Sequence, residues 1–181
     1  MLRYLALLTC GLMTCVAGYT LLVIVVARHL GASDAAIGLI FAAGGAGGVL
    51  GALVTEPLRQ WLGFRRLLVW SVWAWALTWL PIPFAPNALA MGLIIGASFL
   101  CVPIFMAMQF SYRLAAIPDA LQGRVSSVFR LVAFGSMPVG LALTGLLLQR
   151  FGPVVTVLVT FAPQLALAVV TTCYRRLRAA T

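Results

Sequence analysis

Charge is nearly excluded from six long stretches of this chain and gathered in the short gaps between them. Residues 4–27, 35–55, 67–85, 88–112 and 153–174 contain no Arg, Asp or Glu, and 125–149 is broken only by Arg130. A bilayer hydrocarbon core of about 30 Å is crossed by roughly 20 apolar residues of helix, at about 1.5 Å each. All six stretches meet or approach that length, and a helix satisfies its own backbone hydrogen bonds where no water can. The pattern predicts an all-α integral membrane protein, with residues 1–181 forming a single six-helix transmembrane bundle.

Composition agrees. The chain is 64% hydrophobic and 8% charged, with mean hydropathy +1.12; a soluble domain carries about a quarter charged residues. The net charge of +9 does not point to nucleic acid, because all 12 basic residues are Arg and nearly all sit at span ends. With successive gaps on alternate sides, Arg3, Arg59, Arg65, Arg66, Arg113, Arg124, Arg175, Arg176 and Arg178 share one side, and only Arg28 and Arg150 lie on the other. Cytoplasmic loops collect Arg and Lys, so both termini are predicted in the cytoplasm. Abundant Ala, Gly and Arg without Lys fit a GC-rich bacterial genome, hence the bacterial cytoplasmic (inner) membrane. The first stretch is too long for a signal-peptide core and no small-residue cleavage site follows, so it is predicted to stay.

The chain lacks the residues an enzyme would need. His29, the only His, falls in a gap on the sparsely charged side, so no buried Ser–His pair can form. Asp34, Glu56 and Asp119 are far apart, and no His/Cys cluster has metal-ligand spacing; no catalytic residue, metal or cofactor is expected. Cys10, Cys15, Cys101 and Cys173 lie within spans and read as small buried hydrophobes. All three acids are near span ends, so the chain offers no intramembrane carboxylate for proton coupling. A channel would want a ring of charged pore residues, which is also missing.

Within the spans, Gly44/Gly48 and Gly47/Gly51 are each four apart and predict a close helix approach. Trp70, Trp73, Trp75 and Trp79 predict a peripheral, lipid-facing third helix. In the fourth span Ser98, Phe105, Gln109 and Tyr112 fall on one narrow face, which must point into the protein. That face serves either interhelical hydrogen bonding or a cavity wall. Thr156, Thr160, Gln164 and Thr171 form a weaker stripe in the sixth. Pro138, with Gly135 and Gly140 nearby, predicts a static kink or a hinge in the fifth. Arg130 either snorkels to the cytoplasmic surface or serves as a cavity or gate cation.

Three segments stand out. Leu30 to Leu39 reads LGASDAAIGL, a polar turn leading into the second span. Gly51 to Leu68 reads GALVTEPLRQWLGFRRLL. Pro118 to Ser127 reads PDALQGRVSS and leads to Gly135-Ser136-Met137-Pro138-Val139-Gly140. In this order, and over essentially the whole chain, they resemble the C-terminal half of a major facilitator superfamily transporter, nearest the branch of enterobactin exporters and macrolide-efflux proteins. The second segment is similar to that family's cytoplasmic loop signature: Leu58, Gly63, Arg65 and Arg66 match, while Glu56, Gln60 and Trp61 depart from it.

The resemblance implies six helices built as two three-helix inverted repeats, working with a second six-helix half by alternating access. It implies a substrate cavity lined by the first and fourth spans, with Thr14, Gly18, Ser98, Phe105, Gln109 and Tyr112 as candidates. Gating or hinge residues would be Gly63, Arg65, Arg66, Arg124, Arg130, Pro138 and Gly140. The expected activity is export of small amphipathic organic molecules, of drug or siderophore type, and inactive without a missing N-terminal half or a second copy. The alternative is a non-transporting membrane scaffold, or a truncated transporter remnant. The lipid bilayer is the other expected partner.

Overall fold

In a computed structural model, residues 2–173 are described, with the side chains at 2–5, 113, 115, 116 and 120 left aside. Helices α1 (Leu2–Val16), α2 (Tyr19–His29), α3 (Asp34–Leu77), α4 (Ala88–Ala116), α5 (Asp119–Gly135) and α6 (Met137–Cys173) account for nearly all of it, with one 3-10 turn at Ile82–Phe84. No strand occurs among the described residues. Among the described residues, four continuous apolar stretches are long enough to cross a bilayer: Ala6–His29, Asp34–Phe84, Ala88–Tyr112 and Leu121–Cys173. The protein is an all-helical, multi-pass membrane protein.

Two helices are too long to run straight through a membrane. The 44 residues of α3 and the 37 of α6 would make about 66 Å and 55 Å of helix, against a hydrocarbon core of about 30 Å. Each is interrupted by a left-handed glycine, Gly63 (φ 74°, ψ 164°) and Gly152 (φ 73°, ψ 179°).

Contacts on either side show that the chain turns back at both. Before Gly63, Gly44 meets Ile95 and Gly51 meets Leu100, so this arm of α3 runs parallel to α4. After it, Phe64 stacks near Tyr112 (5.8 Å between ring centroids) and Trp75 near Phe105 (5.8 Å), so the second arm is antiparallel to α4. Before Gly152, Gly140 packs on Thr14 and Gly145 near Leu21; after it, Leu167 packs on Gly11. A straight helix would carry Leu167 about 33 Å beyond Gly145; instead it has returned past Leu21 toward the start of α1.

The remaining reversals have local causes. Gly31 (φ 71°) ends the α2 side of the first turn. The Ser33 hydroxyl caps α3 by accepting from the Ala36 amide at 3.3 Å, and Arg28 pairs with Asp34 across the turn. Asn87 caps α4, its Oδ1 accepting from the Ala90 amide at 2.8 Å. Phe64 beside Tyr112, and Arg65 and Arg66 beside Thr172, put the Gly63 turn and the ends of α4 and α6 on one face of the bundle.

Small residues fix the closest approaches. A methyl group at Gly47 would stand 2.0 Å from the Gly96 carbonyl oxygen, and one at Gly140 2.1 Å from that of Thr14. The α3 contact face is Gly44, Gly47 and Gly51; Gly48 meets nothing within 4 Å, so the predicted Gly44/Gly48 pair is not the contact.

Boundaries shift where prolines cluster. The third apolar stretch was expected to stay helical to residue 85, but α3 ends at Leu77. The Thr78 hydroxyl donates back to the Trp75 carbonyl at 2.8 Å, and Pro81 and Pro83 cannot continue a helix. This segment is lipid-facing only in part: Trp70 is 66% exposed, whereas Trp75 and Trp79 belong to the core. The expected last residue of the sixth stretch, Tyr174, and Arg175, Arg176 and Arg178 lie outside the described residues.

Candidate functional site

Two helix lines are broken near mid-length. The line made by α1 and α2 is interrupted at Ala17–Gly18, and the α5–α6 line at Ser136, where Gly135 ends one helix and Met137 begins the next. The second break lies just before Pro138, whose ring removes a backbone donor and crowds the preceding turn. The two lines lie side by side. The Ser136 hydroxyl donates to the Cys10 carbonyl at 3.4 Å, Gly140 sits under Thr14 O, and Gly18 sits under the Thr144 side chain.

A cleft of about 270 Å³ opens where both breaks face α4. The first line contributes Met13, Val16, Ala17, Tyr19 and Thr20; α4 contributes Ser98, Phe99, Val102 and Met106; Trp75 and Met137 complete it. Ala17 and Met137 thus bring the two interruptions into one wall. Both interruptions are slight, since Gly18 (φ −84°, ψ 6°) and Ser136 (φ −83°, ψ −13°) stay near the right-handed helical region.

The lining is apolar, aromatic and adaptable. Three of the chain's six methionines, Met13, Met106 and Met137, face it. Methionine has three rotatable bonds and a polarizable sulfur, and suits surfaces that accept varied shapes. The Tyr19 ring lies 5.2 Å from Phe99 and 6.1 Å from Trp79, centroid to centroid. The Tyr19 hydroxyl and Trp79 Nε1 are both buried without a hydrogen-bond partner among the described residues. The Ser98 hydroxyl donates to the Ile94 carbonyl at 3.0 Å, which leaves its lone pairs to accept. No charged side chain lines the cleft.

Of the residues the sequence nominated for a cavity, Ser98 lines this one. Phe105 is fully buried one layer behind, against Trp75. Gln109 is 1% exposed, with neither amide atom paired among the described residues. Tyr112 stands at the Gly63 end of the bundle against Phe64. Thr14 spends its hydroxyl on the Cys10 carbonyl at 2.8 Å, and Gly18 marks the break beside the cleft. The sequence did not single out Tyr19, Phe99 or the three methionines. Their signal was present as a helical stripe, since Phe99, Val102 and Met106 share one face of α4.

The gating candidates are spread along the bundle. Gly63 forms a reversal, and Arg65 and Arg66 follow it. Arg124 and Arg130 are exposed on α5. Pro138 follows the α5–α6 break, and Gly140 is its tightest contact. Glu56, beyond the apolar run 35–55, is bound by Arg59 through two hydrogen bonds (2.8 and 2.7 Å) and by Gln60 (3.2 Å). Those bonds hold its carboxyl well below the usual range, at about 2. Glu56, Arg59 and Gln60 thus form a local charge network within α3, ahead of the Gly63 turn, although these residues include departures from the expected signature.

The family profile described as transmembrane secretion effector, a group of the major facilitator type, matches residues 5–181. The chain belongs to this family. Comparison with curated proteins and with solved structures finds no match. Membership in the transmembrane secretion effector family makes this a membrane transport protein of the efflux type, in keeping with its long apolar helices.

Proposed function

We propose that this chain is the C-terminal six-helix half of an efflux transporter, crossing the membrane six times and exporting small amphipathic organic molecules by alternating access. The observation that carries the reading is the cleft of about 270 Å³ at the two mid-helix interruptions, with α4 as its third wall. Transporters of this broad kind place substrate near the midplane, beside discontinuous helices. Methionine, aromatic and hydroxyl groups suit an amphipathic organic ligand.

The internal layout supports two inverted repeats. The first arm of α3 packs tightly and in parallel with α4, and the first arm of α6 packs tightly and in parallel with the α1–α2 line. An inverted repeat exchanges these two pairs. It likewise exchanges the turns at Gly63 and Gly152, which have nearly identical dihedrals. The Gly63 turn and the ends of α4 and α6 share the face that carries Arg59, Arg65, Arg66 and Arg124, so that face is assigned to the cytoplasm and the protein to the bacterial inner membrane, both termini inside.

One such bundle leaves its cleft open on a side, so the working transporter includes a second six-helix half, either an N-terminal half or another copy. Asp34 and Asp119 begin α3 and α5, and Glu56 lies in α3 beyond the apolar run 35–55, already bound by Arg59, so the coupling carboxylate is assigned to that partner. Reconstituted alone in liposomes, the chain is expected to give no proton-driven efflux. Robust transport by the chain alone would refute the half-transporter reading.

A further inference from the structure

A second, smaller cleft lies away from the first. Arg65 and Arg66, at the start of the second arm of α3, line a space of about 150 Å³ with Val69, Trp70 and Thr172. Its two walls are tied together: Trp73 Nε1 donates to Thr172 Oγ1 at 2.9 Å, and Thr172 Oγ1 donates on to the Ala168 carbonyl at 2.9 Å. The threonine hydroxyl is thereby occupied. The guanidinium groups are not, since the ion pairs among the described residues are Arg28–Asp34 and Arg59–Glu56.

The surroundings are those of a membrane surface. Trp70 is 66% exposed and Trp61, just before the Gly63 turn, is 85% exposed; tryptophan at the lipid boundary marks the headgroup level. Val69 and Trp70 lie about one helical turn along from the arginines, toward the hydrocarbon. Two planar cations beside an apolar wall match a phosphate that carries hydrocarbon chains: guanidinium binds phosphate oxygens through paired hydrogen bonds, and basic pockets between helices hold anionic headgroups.

We propose that this cleft binds the headgroup phosphate of an anionic phospholipid, with the acyl chains along Val69 and Trp70. The test is lipid binding to the purified full chain in detergent, by native mass spectrometry and thermal stability, with phosphatidylglycerol, phosphatidylcholine and inorganic phosphate. Phosphatidylglycerol should bind and stabilise, and the other two should not. Arg65→Gln with Arg66→Gln should weaken phosphatidylglycerol about twenty-five-fold, at roughly fivefold per basic residue, while Arg65→Lys with Arg66→Lys, which keeps the charge but loses the paired hydrogen bonds, should weaken it less than the glutamine pair. If the double glutamine variant fails to fold, Arg66→Gln alone, at an exposed position, should weaken binding about fivefold by the same measure. Equal binding of phosphatidylcholine, undiminished phosphatidylglycerol binding by the glutamine variants, or inorganic phosphate reproducing the stabilisation would each overturn the assignment.

Discussion

Gly63 and Gly152 share one backbone conformation, with φ 74°, ψ 164° at the first and φ 73°, ψ 179° at the second. Each sits where a long apolar helix turns back. With Gly31 (φ 71°) they are the left-handed residues among those described, and all three are at reversals. Positive φ with ψ near 180°, as at Gly63 and Gly152, is a region essentially confined to glycine, and a side chain there costs on the order of 1–3 kcal/mol. Space is not the obstacle, since nothing lies within 4 Å of a methyl group at either position. Gly63→Ala and Gly152→Ala should therefore each lower thermal stability in detergent by a similar amount. Markedly unequal losses would count against the two turns being equivalent.

The glycines of α3 separate packing from composition. Gly47→Ala drives a methyl into the Gly96 carbonyl, whereas Gly48→Ala meets open space. Overpacking of this kind costs typically about 1–3 kcal/mol. Urea or thermal unfolding in detergent should show a clear loss for Gly47→Ala and almost none for Gly48→Ala. Equal effects would mean that α3 and α4 do not approach through this face.

Glu56 gives a pH dependence with a definite sign. Arg59 and Gln60 hold its carboxyl at about 2, below the ordinary 4.5. A depressed carboxyl stabilises the fold above the ordinary value, and the contribution fades as pH falls toward the folded value. Stability titrated from pH 5 down to pH 2 should fall more in the wild type than in Glu56→Gln. Because the group is exposed, salt should shrink the difference. Parallel curves would show that the hydrogen bonds to Glu56 do not persist in solution.

Much of this was legible in the residue order, and what was not has physical reasons. The apolar stretches follow from where charge is excluded. The α5–α6 break is announced by Pro138, because a missing amide is a local property. The break at Ala17–Gly18 has no such mark: Val16, Ala17 and Gly18 read as ordinary apolar helix, and the partner that meets Gly18 is Thr144, far along the chain. Trp75 and Trp79 were read as lipid-facing with their neighbours, yet tertiary packing buries them. Ser98 was found because a hydroxyl in hydrocarbon stands out. Met13 and Met106 went unnoticed because methionine in a membrane helix carries no polarity, Met137 was noticed only as part of the segment around Pro138, and only the fold brings the three together.

We propose the cleft between the two broken helix lines and α4 as the substrate site. That assignment is tested most directly by ligand-dependent thermal stability in detergent, screened against siderophores, macrolides and cationic amphiphiles, on the wild type and on Met137→Trp. The larger ring at the second interruption should fill part of a cleft of about 270 Å³ without touching the tight Gly140–Thr14 contact. At least one amphipathic organic compound should raise the melting temperature of the wild type, and Met137→Trp, itself folded, should lose the shift. A stabilising compound whose effect survives Met137→Trp unchanged, or no stabilisation by any of the three classes, would contradict it.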